Sequence, residues 1–345
     1  MSRHPLPLTA LDWTPNLAAA LADASAAIAR LDARICASSL APAWTLRASW
    51  TGYAAALRLQ AFEIDEIDII SHECGLTLPW RAPLETASNP FAALAPWQAM
   101  LVEKVGRHWR EDLPFTFELP DGWDNAPALA RALALVDTWA CSDRSMSPWL
   151  GLPTVLRRMG ITFAPLPCLV VGDAGQRLVS DLRPALLKRL LKQFTRSADH
   201  GLVVLDRLEK YVQRGAAALS LERRPGKLAD LVRLSLAHPL LAGRNVAAQL
   251  GLTISGAGKL LERASSLGML VEISGRTTWR AYVSADLAVT LGLVAPLRGR
   301  PRLAATDAKP VREILASFDD EMYAISAKLT KLGIAPMSEI DVFRV

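Results

Sequence analysis

The chain has 345 residues, 51% hydrophobic and 21% charged, with four cysteines and a formal net charge of +5. That length allows two or three domains of roughly 150 residues each, and the composition is that of a folded chain with material for a core, which excludes a disordered tail, a collagen or a disulfide scaffold. Cys36, Cys74, Cys141 and Cys168 lie far apart, with no CxxC and no histidine at metal spacing, so a zinc finger is excluded and reduced, buried thiols are expected.

The first helix is expected over residues 12–35, where Leu17, Leu21, Ala24, Ile28, Leu31 and Ile35 recur at steps of three and four and so share one face. Pro42 interrupts. A second helical stretch is expected from Leu46 to Ile70 and a third over 90–112. Glu118–Asn125 holds Pro, Asp and Gly and reads as a turn. Ala126–Trp139 is rich in Ala and Leu and reads as a helix. Residues 142–184 have many Pro and Gly and little helical period, with Cys168–Val171 either a short strand or a buried loop. Leu182–Ala218 is helical again, with Gly201 expected to divide it, and Arg223–Gly226 is a linker.

From here the pattern sharpens. Lys227–Ala237 reads as a helix ended by His238-Pro239, since a residue before proline is pushed out of the helical region. Gly243–Leu250 is a short helix, and Gly251 suits the left-handed turn that follows one. Thr253 or Ser255 caps the next helix, about Ser255–Leu267, which turns Ala257, Leu260, Leu261 and Ala264 inward. Met269–Ile273 and Trp279–Val283 alternate as strands around a turn at Ser274–Thr278. Helix, turn, helix and hairpin together are the pattern of a winged helix-turn-helix. After it comes a basic connector, Arg298–Arg302, and a tail helix over about 310–332.

Charge follows this division. Residues 1–150 carry 11 basic and 17 acidic side chains and nine of the ten tryptophans; residues 151–345 carry 28 basic and 17 acidic. Within 223–283 the numbers are nine and three. That sign suits nucleic acid or an acidic partner, although a solvated surface has the same look. No apolar run reaches the ~18 residues that a spanning helix needs; Leu287–Leu297 is short and holds Gly and Pro. The first residues lack the apolar core of a signal peptide. A cytoplasmic protein without a membrane partner is expected.

Two resemblances rest on these segments. Val271–Val283, VEISGRTTWRAYV, resembles the wing of the winged helix at the C-terminal end of Fic-type proteins. Residues 223–283 with the preceding helix are similar to an uncharacterised family of rhizobial and related proteobacterial proteins. Its members join a helical N-terminal domain to a C-terminal helix-turn-helix DNA-binding domain. The matching residues are Arg224–Leu228, Ala237–Leu241, the Ala247–Leu252 turn, Gly275-Arg276 and Trp279–Ala281. The resemblance covers about 100 residues well and the N-terminal half loosely, and it implies DNA binding without catalytic residues. The Fic motif HPFxxGNGR is not met: His238-Pro239 is followed by Leu240, and Gly243 by Arg244-Asn245. AMP transfer is not expected.

Other chemistry is weaker. Glu63, Asp65, Glu66 and Asp68 are compatible with a divalent cation, or with a solvated helix face. His72-Glu73-Cys74 has no second histidine nearby to complete a metal or nucleophile site. Gly172–Gly175 lacks both phosphate-loop signatures and reads as a turn. The tryptophans line either an effector pocket or a helical dimerisation core.

The expected fold is mainly α. An acidic, Trp-rich helical domain spans 1–178, for dimerisation or partner binding. A helical connector covers 179–222, a winged helix-turn-helix 223–293, and a basic linker with a helix 294–345. The expected function is sequence-specific binding of double-stranded DNA by a homodimeric transcriptional regulator, with no enzyme activity, cofactor or metal. Thr253, Ser255, Lys259 and Arg263 would lie on the recognition helix, Lys227 and Arg244 at phosphates, and Arg276 and Arg280 in the wing. The alternative is a protein-interaction adaptor or antiactivator whose winged helix contacts protein.

Overall fold

A computed structural model describes residues 13–78, 80–81, 89–103, 108–111, 113–174, 184–275 and 280–294. The tail helix over 310–332 and Arg276 therefore lie outside the described residues. The described residues belong to one compact unit. The described part is mainly helical, with one small sheet.

α1 (Pro15–Ala37) starts where Thr14 accepts a hydrogen bond from the Leu17 amide at 3.3 Å and Pro15 sets the first turn. Leu17, Ala20, Ala24, Ala27, Ile28, Leu31 and Ile35 form its buried stripe. It packs along α7 (Pro184–Leu221), a helix of 38 residues, about 57 Å long at 1.5 Å per residue. Gly201 does not divide that helix, contrary to expectation. It sits where Leu31, the Trp44 indole and the Cys168 thiol press on the backbone. A Cβ there would meet them at 3.1–3.2 Å, and the Trp44 indole N–H donates to the Gly201 carbonyl at 2.9 Å. Its small size serves close packing, not a break. Arg30 with Asp199, and Arg34 with Asp206 and Glu209, line the exposed edge of the seam at 3.0–3.3 Å, where ion pairs add little.

The expected helix over 46–70 is two. α2 (Ala41–Leu59) carries Pro42 in its first turn, a position proline tolerates, and ends at Gln60. Ala61, at φ 62°, turns the chain, and α3 (Glu66–Glu73) follows. The expected helix over 90–112 is also shorter: α4 spans Leu94–Val102, and residues 109–111 form a turn. α5 (Ala128–Ser142) and α6 (Ser147–Arg158) pack together, and residues 167–169 form one buried 3₁₀ turn instead of a strand. Trp44, Trp50, Trp97 and Trp149 are fully buried in this body.

Near its C-terminal end α7 enters a second cluster through Tyr211. There it meets α8 (Leu228–Ala237), α9 (Gly243–Leu250), α10 (Ile254–Ser266), β1 (Leu240–Ala242), β2 (Leu270–Glu272) and β3 (Ala281–Ser284). The strands form an antiparallel sheet in the order β1-β3-β2, pairing Leu240 and Val271 with Val283 and Leu241 and Glu272 with Tyr282. β1 was not expected from the sequence. α11 (Ala285–Thr290) follows β3 directly.

Successive side chains of a strand point to opposite faces, and both faces of this sheet are used. Leu240 and Val283 belong to the core of the helical body, whereas Leu241, Leu270 and Tyr282 belong to the second cluster. The sheet is thus shared between two cores.

Candidate nucleic-acid interface

Gly251 ends α9 at φ 64° and ψ 41°, a left-handed conformation that glycine adopts without a Cβ clash. Thr253 begins α10 two residues later, its hydroxyl accepting from the Gly256 amide at 3.1 Å. Ala257, Leu261 and Ala264 are buried on the inner face, while Thr253, Ser255, Lys259 and Glu262 are exposed. The open side of α10 therefore carries Ser255, Lys259 and Glu262.

The other expected contacts are distributed differently. Arg263 is ion-paired with Glu222 and donates to the Arg224 carbonyl at 3.0 Å, which fastens α10 to the end of α7. Arg280 pairs with Glu262 at 2.8 Å, tying β3 to α10. Lys227 pairs with Asp230 at 3.2 Å at the start of α8. Arg244 is exposed but lines a cleft of about 470 Å³ between α9 and the end of α3, with His72, Glu73 and His238. Asn245 spans the same junction, its amide donating to the Cys74 carbonyl at 2.8 Å. Ser255 and Lys259, one turn apart, share the exposed face of α10, with Thr253 at its N-cap; Arg263 and Arg280 are held in ion pairs within the chain.

Glu272 holds the two residues Ser274 and Gly275 that follow β2. Its carboxylate accepts from the Ser274 hydroxyl and from the amides of Ser274 and Gly275 at 2.9 and 3.0 Å. The Ser274 hydroxyl bond, aided by those amides, holds the Glu272 carboxyl below its ordinary value.

Three features escaped the sequence reading. Ile254, in the first turn of α10, is 64% exposed, although its spacing of three and seven from Ala257 and Leu261 puts it in phase with the buried stripe, so periodicity could not signal its exposure. Arg233 is exposed on α8 beside Asp230. Arg47, on α2, is buried and ion-paired with Asp286 of α11, and donates to the carbonyls of Ser235 and Leu236 at 2.8 and 3.2 Å. One guanidinium thus ties the helical body to both flanks of the sheet. No sequence spacing could signal a pair 239 positions apart.

The acidic cluster of α3 is occupied from within. The Asp65 amide donates to the Asp68 carboxylate at 2.9 Å, and Arg81 pairs with Asp65 and Asp68 at 2.6 and 3.3 Å. Among the described residues no group of three or more His, Cys, Asp or Glu is placed to hold a metal ion, and no helix is long and apolar enough to cross a membrane. No protein-family model matches the chain, and a search of curated proteins returned no match.

Proposed function

We propose that residues 223–293 act as a winged helix-turn-helix, and that the protein is a sequence-specific, double-stranded-DNA-binding transcriptional regulator. The observation that carries this reading is α10: a capped helix, buried on Ala257, Leu261 and Ala264 and open on Ser255 and Lys259. A helix so presented can enter a major groove, where side chains near its N-terminus reach base edges. In this reading Ser255 and Lys259 meet the bases, and Thr253 sets the start of the helix. Lys227, Arg244 and Arg233 meet phosphates, and Arg276, outside the described residues, is assigned a further phosphate contact. Arg263 and Arg280 act indirectly, by fixing the tilt of α10. A homodimer would place two such helices on half-sites one helical turn apart, about 34–36 Å.

Lys259→Ala tests the assignment. Duplexes selected by the wild-type protein from a random pool should bind the variant about tenfold more weakly or worse, in line with the ~1–3 kcal/mol of one good base contact, at unchanged thermal stability. Equal binding would remove α10 as the reading element.

A second reading, a protein-interaction adaptor or antiactivator, is favoured by Ile254. An exposed isoleucine at the start of α10, together with Arg263 and Arg280 that are both engaged within the chain, is a composition that suits a protein partner. Ile254→Ala separates the readings, because it removes the exposed apolar side chain without adding charge: it should weaken capture of a protein partner and leave phosphate contacts in place.

A further inference from the structure

The described residues line a second cleft, of about 450 Å³ and open to solvent, on the helical body. The end of α1, the first turns of α2, α4, Arg157 of α6 and the segment 164–165 wall it. Ile35, Leu46, Leu101 and Val102 make it predominantly apolar, and Val102 is 70% exposed. The tryptophans do not line it.

Its walls are fixed by hydrogen bonds. Asp32 accepts from the amides of Phe163 and Ala164 at 2.8–3.1 Å, which pins the 164–165 wall to α1. Gln98 donates to the Ser49 hydroxyl at 2.9 Å, and Ser49 donates to the Leu46 carbonyl at 2.6 Å, joining α4 to α2. Arg157 is the cation of the cavity. Its guanidinium donates to the carbonyls of Leu101, Glu103 and Phe163 at 2.9–3.2 Å. Those acceptors are neutral, and no carboxylate of the described residues lies within ion-pair distance of it. They use Nε and Nη1 and leave Nη2 over. A guanidinium already held in place loses little freedom when it binds an anion.

We propose that this cavity binds an amphipathic carboxylate, with its apolar tail among Ile35, Leu46 and Leu101 and its carboxylate on Arg157. A predominantly apolar cleft with one placed charge is the usual build of a small-molecule site, and the arginine fork matches a carboxylate. The charge selects the acid over the alcohol of equal length; the cavity selects a tail over a bare anion. This site is independent of the DNA reading and is tested without DNA.

The experiment is calorimetric titration of the full chain with decanoate, decanol and acetate, the first two below their aggregation limits. Decanoate should bind one per chain, decanol more weakly, and acetate not measurably. Leu46→Trp fills the cavity and should abolish binding of both long-chain ligands; Thr45→Phe replaces it should that variant fail to fold. Arg157→Gln should weaken decanoate about tenfold, the scale of a charged hydrogen bond, and leave decanol unchanged, which also shows that the cavity has kept its shape. Arg157→Lys should retain part of the preference for the acid. Equal affinity for decanoate and decanol in the wild type, decanoate binding that survives Leu46→Trp and Thr45→Phe, or no decanoate binding at all would each overturn the proposal. The last of these, together with self-association lost in Leu46→Trp, would assign the groove to a second copy of the chain.

Discussion

Arg47 shows what one buried charge does here. Its guanidinium is 3% exposed and its partner Asp286 5%. Removing one member of such a pair leaves the other uncompensated, at a cost of about 3–5 kcal/mol. Arg47→Ala should lower unfolding stability by that amount in denaturant titration; a loss under about 1 kcal/mol would mean that water reaches Asp286. The cysteines give a second prediction at this scale. Burial pushes the thiols of Cys74 and Cys168 up to about 11 and 12, whereas Cys36 is exposed and raised less. The thiolate is the reactive form. At pH 8 a thiol reagent should therefore modify Cys36 in the folded protein and reach Cys74 and Cys168 only on unfolding, as mass spectrometry of labelled peptides would show. Buried, reduced thiols were legible from spacing and composition for Cys74 and Cys168. The exposure of Cys36 was not, because it depends on how α2 leaves the end of α1.

At the scale of elements, glycines separate two kinds of constraint. Gly258 lies in α10, and a Cβ there would meet nothing within 4 Å. Gly258→Ala should stabilise the protein by about 0.5–1 kcal/mol, the usual cost of a glycine inside a helix. At Gly52 in α2 a Cβ would lie 2.1 Å from the Pro167 carbonyl oxygen, so Gly52→Ala should destabilise by at least about 1–3 kcal/mol. Thermal melts of the two variants should shift in opposite directions. The contrast also explains what could be read in advance. α9, the Gly251 turn and α10 were legible because their caps and periodicity are local. The two later strands were legible from alternation and a turn. β1 was not, since three residues after a proline become a strand only by pairing with Ala281–Val283. Gly201 misled for the same reason: its role is set by Trp44 and Cys168, far away in sequence.

For the whole molecule, the two cores share one sheet. Leu240 and Val283 face the helical body, Leu241 and Tyr282 face α9 and α10, and Arg47 and Asn245 bridge the same junction. An acidic N-terminal half and a basic C-terminal half suggested separable pieces. Their shared packing predicts that residues 13–294 unfold together. Denaturant curves followed by tryptophan fluorescence, which reports chiefly on the N-terminal half, and by far-ultraviolet circular dichroism should coincide. Two separated transitions would contradict the shared sheet.

The central claim is that α10 presents this body to DNA. It is tested most directly by fluorescence anisotropy of the full-length protein against the duplex upstream of its own gene and a scrambled duplex, across a series of salt concentrations. The account predicts tight binding that favours the upstream duplex and weakens as salt rises, because phosphate contacts release counterions. Absence of binding to either duplex even at low salt would contradict it and turn attention to Ile254 and a protein partner.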